Sequence, residues 1–383
     1  MKAWYCSETP YPDLPPEDAY ESVRVTIPNS LYDPEVGAQI YADRIAEWCA
    51  ADEAGLNVMV NEHHQTATCI VPAVPVMASA LAVRTKQARI LVLGNPIANR
   101  REPVRVAEEM AMIDNMCHGR LEVGFVRGVP YEAAPANITP ADTTDRLWEA
   151  HDLIMRCWEE RNEPFSWEGR HFSYRQVNVW PRPYQQPHPP VWVTTTSTPN
   201  ADRIGGYGYV AATFLIGHVQ AKKIFDAYRE RRSRDGLDTP NDRLAYCALV
   251  YTGATEAEGR AGAQELLWYL TSNKVPIQFR NPPGYVPIAA NVQAVRTGRV
   301  GPRPVGTDLD ELIEQGIVFA GTADQVAGQL ERFYERVGGF GHLLMLGHTG
   351  NMSHADAVRG IEHFASGVYP RVGAFSASAG AAA

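Results

Sequence analysis

The sequence predicts an α/β fold, a single (β/α)8 or TIM barrel with insertions after strands 4 and 7. Three observations predict it. Short apolar runs alternate with helix-period segments about eight times along the 383 residues. Repeated βα units of this kind imply parallel strands joined by right-handed crossovers. No G-x-G-x-x-G follows the first strand, which disfavours the dinucleotide-binding form of the open doubly wound sheet, the other architecture that the alternation allows. Candidate chemistry falls at the C-terminal ends of four strands, and a barrel would gather it at one mouth.

Ala3–Cys6 is the first strand, and Gly37–Ala54 a helix with Ile40, Ile45 and Trp48 among its apolar positions. Leu56–Val60 is a compact apolar run, as suits a parallel strand covered on both faces. Pro72–Val83 is a helix and Ile90–Leu93 another strand. Pro103–His118 is the clearest helix. Pro103 suits the first helical position, where its missing N–H would be unpaired anyway. Val106, Met110, Ile113 and Cys117 recur on one face, and Gly119 can end the helix in a left-handed conformation.

Leu121–Phe125 is a strand and Asp145–Glu160 a helix. Between 165 and 190, the Phe165-Ser166-Trp167 and Phe172-Ser173-Tyr174 runs and the prolines predict a small antiparallel excursion and a loop. Val191–Val193, Tyr209–Thr213 and Leu244–Tyr251 resume the strands, with the charged amphipathic helix Val219–Asp235 between the last two. Residues 252–321 resist the pattern and read as a long loop on the active-site side, a candidate lid. Thr322 and Gln325 have capping-box spacing. Val326, Leu330, Phe333 and Val337 then form a helical stripe closed by Gly338. His342–Leu346 is the last strand and Ser353–Phe364 the last helix. One domain thus spans 1–370, with insertions at about 165–190 and 252–321. Residues 371–383, which close on the small, low-complexity run Ser376–Ala383, form a tail expected to be disordered.

The balance of 35 basic and 44 acidic residues, net −9, favours solubility and argues against a nucleic-acid partner. Six scattered cysteines without a C-x-x-C pair give no disulfide framework and no metal site. The start lacks the layout of a signal peptide, and the longest apolar stretch, near 70–83, is broken by Pro72, Pro75 and Ser79. It falls short of the roughly 18–20 residues of a membrane span. The expectation is a cytoplasmic enzyme without a membrane partner.

Strand Leu56–Val60 runs into Asn61-Glu62-His63-His64. Histidine titrates nearest neutrality and suits proton transfer; the alternative is a loop histidine bonded only to backbone. Ile90–Leu93 runs into Gly94-Asn95, where glycine permits close approach and the amide could meet a polar ring edge, though the residues alone favour an ordinary turn. Leu121–Phe125 runs into Val126-Arg127-Gly128, and a guanidinium suits phosphate or a structural ion pair. Val191–Val193 runs into five hydroxyl residues, Thr194 to Thr198, before a helix start; these suit an anion site or simple capping.

Asn61-Glu62-His63-His64, Arg105-Val106-Ala107-Glu108-Glu109 and the run from Ile113 through Gly119-Arg120 to Arg127-Gly128 together resemble the luciferase-like flavin monooxygenase family. The resemblance covers most of about 36–250 and 320–365. It implies a (β/α)8 barrel that binds reduced flavin mononucleotide (FMN) or the deazaflavin F420. By position it implies His63 as the active-site histidine, with Glu62 able to orient it. Asn95 falls where the family's backbone, often with a non-prolyl cis peptide, lies against the flavin ring; the cis bond is expected at Gly94–Asn95. Arg127 is implied as the phosphate-binding arginine, and Thr195, Thr196 and Thr198 as the phosphate loop. Where the luciferase α subunit carries a cysteine before this arginine, the chain carries Val126. His64, Phe125, Trp192 and Phe214, with Trp4, are candidate pocket walls.

The implied activity is monooxygenation of a small organic substrate by reduced FMN and dioxygen through a flavin C4a-peroxide. The sequence shows no nicotinamide motif, so a separate flavin reductase is the implied partner. A homodimer through the second and third helices is expected. The alternatives are an F420-dependent dehydrogenase or reductase on the same barrel, and a non-catalytic flavin-binding barrel.

Overall fold

Eight parallel strands close into a barrel in the computed structural model, which describes residues 1–16, 18–272, 275–296 and 307–376. The first half runs β1 (Lys2–Ser7), α1 (Pro34–Glu53), β2 (Asn57–Val60), α2 (Val74–Arg84), β3 (Ile90–Asn95), α3 (Pro103–Met116), β4 (Leu121–Phe125) and α4 (Thr143–Glu159). An antiparallel hairpin, β5 (Phe165–Glu168) and β6 (Ser173–Val177), follows as the sequence predicts. The barrel resumes with β7 (Val191–Thr194), α5 (Thr198–Tyr207), β8 (Val210–Phe214), α6 (Gly217–Arg234) and β9 (Leu244–Thr252). The long insertion holds α7 (Glu256–Leu266), α8 (Trp268–Thr271), α9 (Ile277–Arg280), α10 (Ile288–Arg296) and α11 (Leu309–Gln315). Then come β10 (Val318–Gly321), α12 (Ala323–Val337), β11 (His342–His348), α13 (His354–His363) and α14 (Tyr369–Val372).

Strands pair in the order β1–β2–β3–β4–β7–β8–β9–β11, and β11 returns to β1. Tyr5 lies opposite both Met345 and Val58, and Phe125 opposite Val193. β10 corrects the reading of 252–321 as loop: Val318–Gly321 pairs with Leu249–Thr252, beyond the part of β9 that β8 covers.

The strands sort their side chains into two apolar layers. Trp4, Cys6, Met59, Leu91, Leu93, Trp192, Ala212, Cys247, Leu249 and Leu346 share one cluster, the barrel interior. The residues between them, such as Tyr5, Val58, Val92, Val123, Phe125 and Tyr246, join the layer against the helices. This alternation is what a filled barrel requires. α12 shows why such helices form. Thr322 and Gln325 make the reciprocal capping box, Val326, Leu330, Phe333 and Val337 are buried, and Gly338 ends the helix at φ +75. Phe333 packs on Tyr246 at 4.3 Å between ring centres. Burying each such side chain contributes about 1.5–3 kcal/mol.

Two boundaries differ from expectation. α3 ends at Met116, two residues early, because His118 as well as Gly119 takes a left-handed conformation. Residues 371–376, expected in the disordered tail, are ordered: Arg371 and Val372 lie in α14 with Val372 buried, Gly373–Ser376 form a 3-10 turn, and the Met1 ammonium donates to Val372 O at 3.2 Å. The rest of that tail from 377, and 297–306 of the insertion, lie outside the described residues. No helix among the described residues is long and apolar enough to cross a membrane.

Candidate active site

β2 delivers His63 and His64 to the C-terminal mouth of the barrel. The partner of His63 is Glu132, a residue the sequence reading missed. It ends a 3-10 turn, Pro130–Glu132, beyond β4. His63 Nδ1 and Glu132 Oε1 are 3.0 Å apart, and the same oxygen accepts the His64 backbone N–H at 3.0 Å. Burial alone would raise the Glu132 carboxyl. The His63 hydrogen bond and charge, with the His64 N–H, outweigh it and hold the group below the usual carboxylate range.

Glu62 does not orient His63, which corrects that expectation. Its Oε1 pairs with His64 Nε2 at 2.8 Å. Its Oε2 accepts from Arg100 at 2.9 Å and from the Val74 N–H, at the start of α2, at 2.8 Å. Buried Glu62 thus serves His64, Arg100 and the start of α2. Its hydrogen bond raises the His64 pKa against the opposing effect of burial.

At the end of β3 the cis peptide is Leu93–Gly94, one bond earlier than expected. A Cβ on Gly94 would stand 2.2 Å from Val126 Cγ1, so this close approach of two strand ends requires glycine. Asn95 is buried; its Oδ1 accepts from Arg100 Nε at 3.4 Å and its Nδ2 has no hydrogen-bond partner among the described residues.

Arg127 is half-buried and stacked on Tyr285 of the insertion, 3.7 Å from guanidinium carbon to ring centre. Its Nε donates to the Tyr285 hydroxyl at 3.1 Å, and Nη1 to Thr144 Oγ1 at 3.3 Å and Tyr285 O at 3.4 Å. Tyr285 in turn donates to Gly128 O at 2.8 Å.

Because β7 pairs with β4, the threonine loop leaves the barrel beside Arg127. Thr195 is buried, and its hydroxyl closes a local turn, donating to Ser197 O at 3.0 Å and accepting the Ser197 N–H at 3.1 Å. Thr196 and Thr198 are exposed. Among the described residues no side chain caps α5, so its first turn presents the N–H groups of Thr198 and Asn200, Pro199 having none.

The pocket-wall residues separate. Phe214, half-buried at the end of β8, packs on the interior cluster at the mouth. His64 is half-buried on the rim. Phe125 faces outward, against Trp158 and His151 of α4, and lines no pocket inside the barrel. Trp192 faces inward but at the opposite end. It donates to Glu122 Oε2 at 2.5 Å and packs on His342, with the Trp4 and Trp192 ring centres 5.4 Å apart. Those residues belong to the starts of β4, β11 and β1, so Trp4 and Trp192 form the barrel floor.

The insertion lies over the mouth. Thr349, just beyond β11, donates to Leu266 O at 3.0 Å, Trp268 covers Gly350, Gly284 abuts Ala141, and α9 rests on the turn that carries Glu132. An open groove of about 720 Å³ lies elsewhere, outside the barrel and lined by Asp152, Arg156, Glu159, Trp167, Tyr207 and Tyr209. It gathers no strand end, so the convergence at the mouth carries the assignment.

These residues fit a flavin phosphate ester. Asn95 offers an unpaired buried amide to a polar ring edge, and the uncapped α5 start and Arg127 offer donors to a phosphate.

Residues 30–339 match the family described as luciferase-like monooxygenase. An uncharacterised protein from Sinorhizobium fredii is 32% identical over 53% of this chain and 58% of its own length. The oxygenase component of a flavin-dependent trigonelline monooxygenase from Acinetobacter baylyi is 30% identical over 61% of this chain and 65% of its own. The matched stretches thus span less than two thirds of either relative. The oxygenating constituent of 3,6-diketocamphane monooxygenase from Pseudomonas putida, a type II Baeyer–Villiger enzyme solved with FMN, shares the fold. Its TM-score is 0.74 over 97% of this chain and 98% of that one, at 18% identity. An F420-dependent secondary alcohol dehydrogenase shares it with a TM-score of 0.67 over 86% and 95%, at 20% identity.

Proposed function

As the chain belongs to the luciferase-like monooxygenase family, a family of oxidoreductases, we propose that it is the oxygenase component of a two-component flavin system acting on a small organic molecule in the cytoplasm. The observation that carries this reading is the convergence at one mouth of His63 on Glu132, the unpaired Asn95 amide, Arg127 and the uncapped start of α5. Reduced FMN, when bound, supplies the activation of dioxygen. Arg127, Thr196, Thr198 and the α5 N–H groups would hold its phosphate, with Thr195 shaping the loop. Gly94 and Asn95 would meet its ring. His63 would hold or release a proton at Nε2, and the insertion would exclude water. His64 and Phe214 would border the substrate.

A relative named as an oxygenase component supports a separate reductase as the electron source. Val76 and Val83 of α2 and Met112 of α3 are exposed apolar side chains on neighbouring helices, which supports a homodimer through that face.

The test supplies a flavin reductase, NADH, FMN and 18O2 with candidate substrates, beginning with trigonelline and diketocamphane, the compounds for which two relatives are named. A product carrying one 18O atom is expected. Substrate oxidation that proceeds without oxygen and needs F420 would transfer the protein to the dehydrogenase branch. Flavin binding without either reaction would leave a binding barrel.

A further inference from the structure

We propose that Glu132 is the positioning residue of His63, fixing the imidazole tautomer that leaves Nε2 free and stabilising the imidazolium formed when Nε2 takes a proton. The inference rests on the reading of His63 at the reacting centre. An ionised carboxylate only accepts hydrogen bonds. The 3.0 Å contact with Glu132 therefore places the proton of neutral His63 on Nδ1. Nε2 makes no hydrogen bond among the described residues, so the free lone pair is the one not facing Glu132.

The choice of a carboxylate is informative. Glu132 is 1% exposed, and no lysine or arginine pairs with it among the described residues. A buried anion without a partner cation is costly. If Glu132 served only to hold the loop, a neutral glutamine would accept the same His64 N–H and leave no buried charge. The anion gains its full value only when His63 becomes cationic.

Other groups around the pair do not substitute for it. His64 is committed to Glu62, and Glu62 to Arg100. Arg24, from the N-terminal loop, donates to the Tyr131 hydroxyl at 2.8 Å. Glu8 acts on Tyr131 from the end of β1. Tyr285 and Cys69 face the carboxylate as neutral groups, both pushed up, first by burial.

The test reads His63 directly by 15N NMR of histidine-labelled protein without flavin, with His63→Gln assigning the signal. The wild type is expected to show an Nδ1-protonated neutral ring. Glu132→Gln should lower its titration midpoint by about 1–3 pH units, and Glu132→Asp should recover part of the fall. A neutral ring protonated on Nε2 in the wild type would overturn the proposal without any variant. So would an unmoved midpoint in a folded Glu132→Gln protein. The reduced-FMN complex then separates the two claims. A pH profile of flavin reoxidation that follows the NMR midpoint in Glu132→Gln sustains both. A profile that stays fixed while the midpoint moves sustains the pair and removes His63 from the reacting centre.

Discussion

Arg127→Ala should weaken reduced FMN binding while leaving riboflavin binding nearly unchanged. A hydrogen bond to a charged group is worth about 1.5–3 kcal/mol, and 1.4 kcal/mol is a tenfold change in affinity. One contact to phosphate therefore predicts a loss of about 10–150-fold. The structure lowers the expectation toward the smaller figure. Arg127 already stacks on Tyr285 at 3.7 Å and donates to it through Nε and Nη1, so binding phosphate with those nitrogens forfeits contacts worth about 1–2 kcal/mol. Only Nη2 makes no hydrogen bond among the described residues. A loss of about tenfold is the working figure. The assay is anaerobic fluorescence titration with FMN and riboflavin in parallel, since riboflavin lacks the phosphate. Equal losses for both flavins would refute the phosphate assignment, because they would mean that Arg127 shapes the loop and not the anion site.

Tyr285→Ala removes the competitor for Arg127 and should tighten FMN binding by up to about tenfold, read in the same titration; weaker binding would mean that the tyrosine belongs to the site. His63→Ala should slow product formation by about 10²–10⁴-fold with FMN binding retained, and an unchanged rate would remove it from the reaction. Acid should destabilise the fold through His342. Burial, with the charge of Lys2, lowers its pKa from 6.5 to about 3, and its Nδ1 accepts from Trp4 Nε1 at 3.0 Å. The unfolded chain therefore binds the proton first. Stability present above pH 6.5 is lost as pH falls toward 3, by up to about 1.4 kcal/mol per unit. His342→Gln should lower the slope of stability against pH by about one proton in urea melts at about pH 4–5.5, and an unchanged slope would place the acid sensitivity elsewhere, for instance at His348, which burial also lowers.

The barrel was legible because burial imposes period. α12 announces itself through a capping box, a stripe and a terminal glycine, and the hairpin at 165–177 through its aromatic alternation and flanking prolines. β10 was not, since four residues between a long insertion and a helix cap leave no alternation to read. The mouth residues His63, Asn95 and Arg127 were readable as strand ends. The direction of Phe125 was not. Barrel strands are apolar on both faces, so parity along Leu121–Phe125 becomes visible only through its neighbours on α4. Trp192 could have been placed from its position, second in β7 and so near the floor. Glu132 carries no periodic signal. Its one clue is that it stands five residues beyond Arg127 in the same strand-end loop, while the histidine it holds lies 69 residues away.

The flavin-monooxygenase reading is tested by mixing anaerobic complexes of the protein with reduced FMN, and separately with reduced F420, with oxygenated buffer in a stopped-flow absorbance instrument. Reduced FMN is expected to bind tightly and to be reoxidised by oxygen through a transient spectrum distinct from both reduced and oxidised flavin. Reoxidation at the rate of free flavin, with F420 bound tightly and inert to oxygen, would contradict that reading.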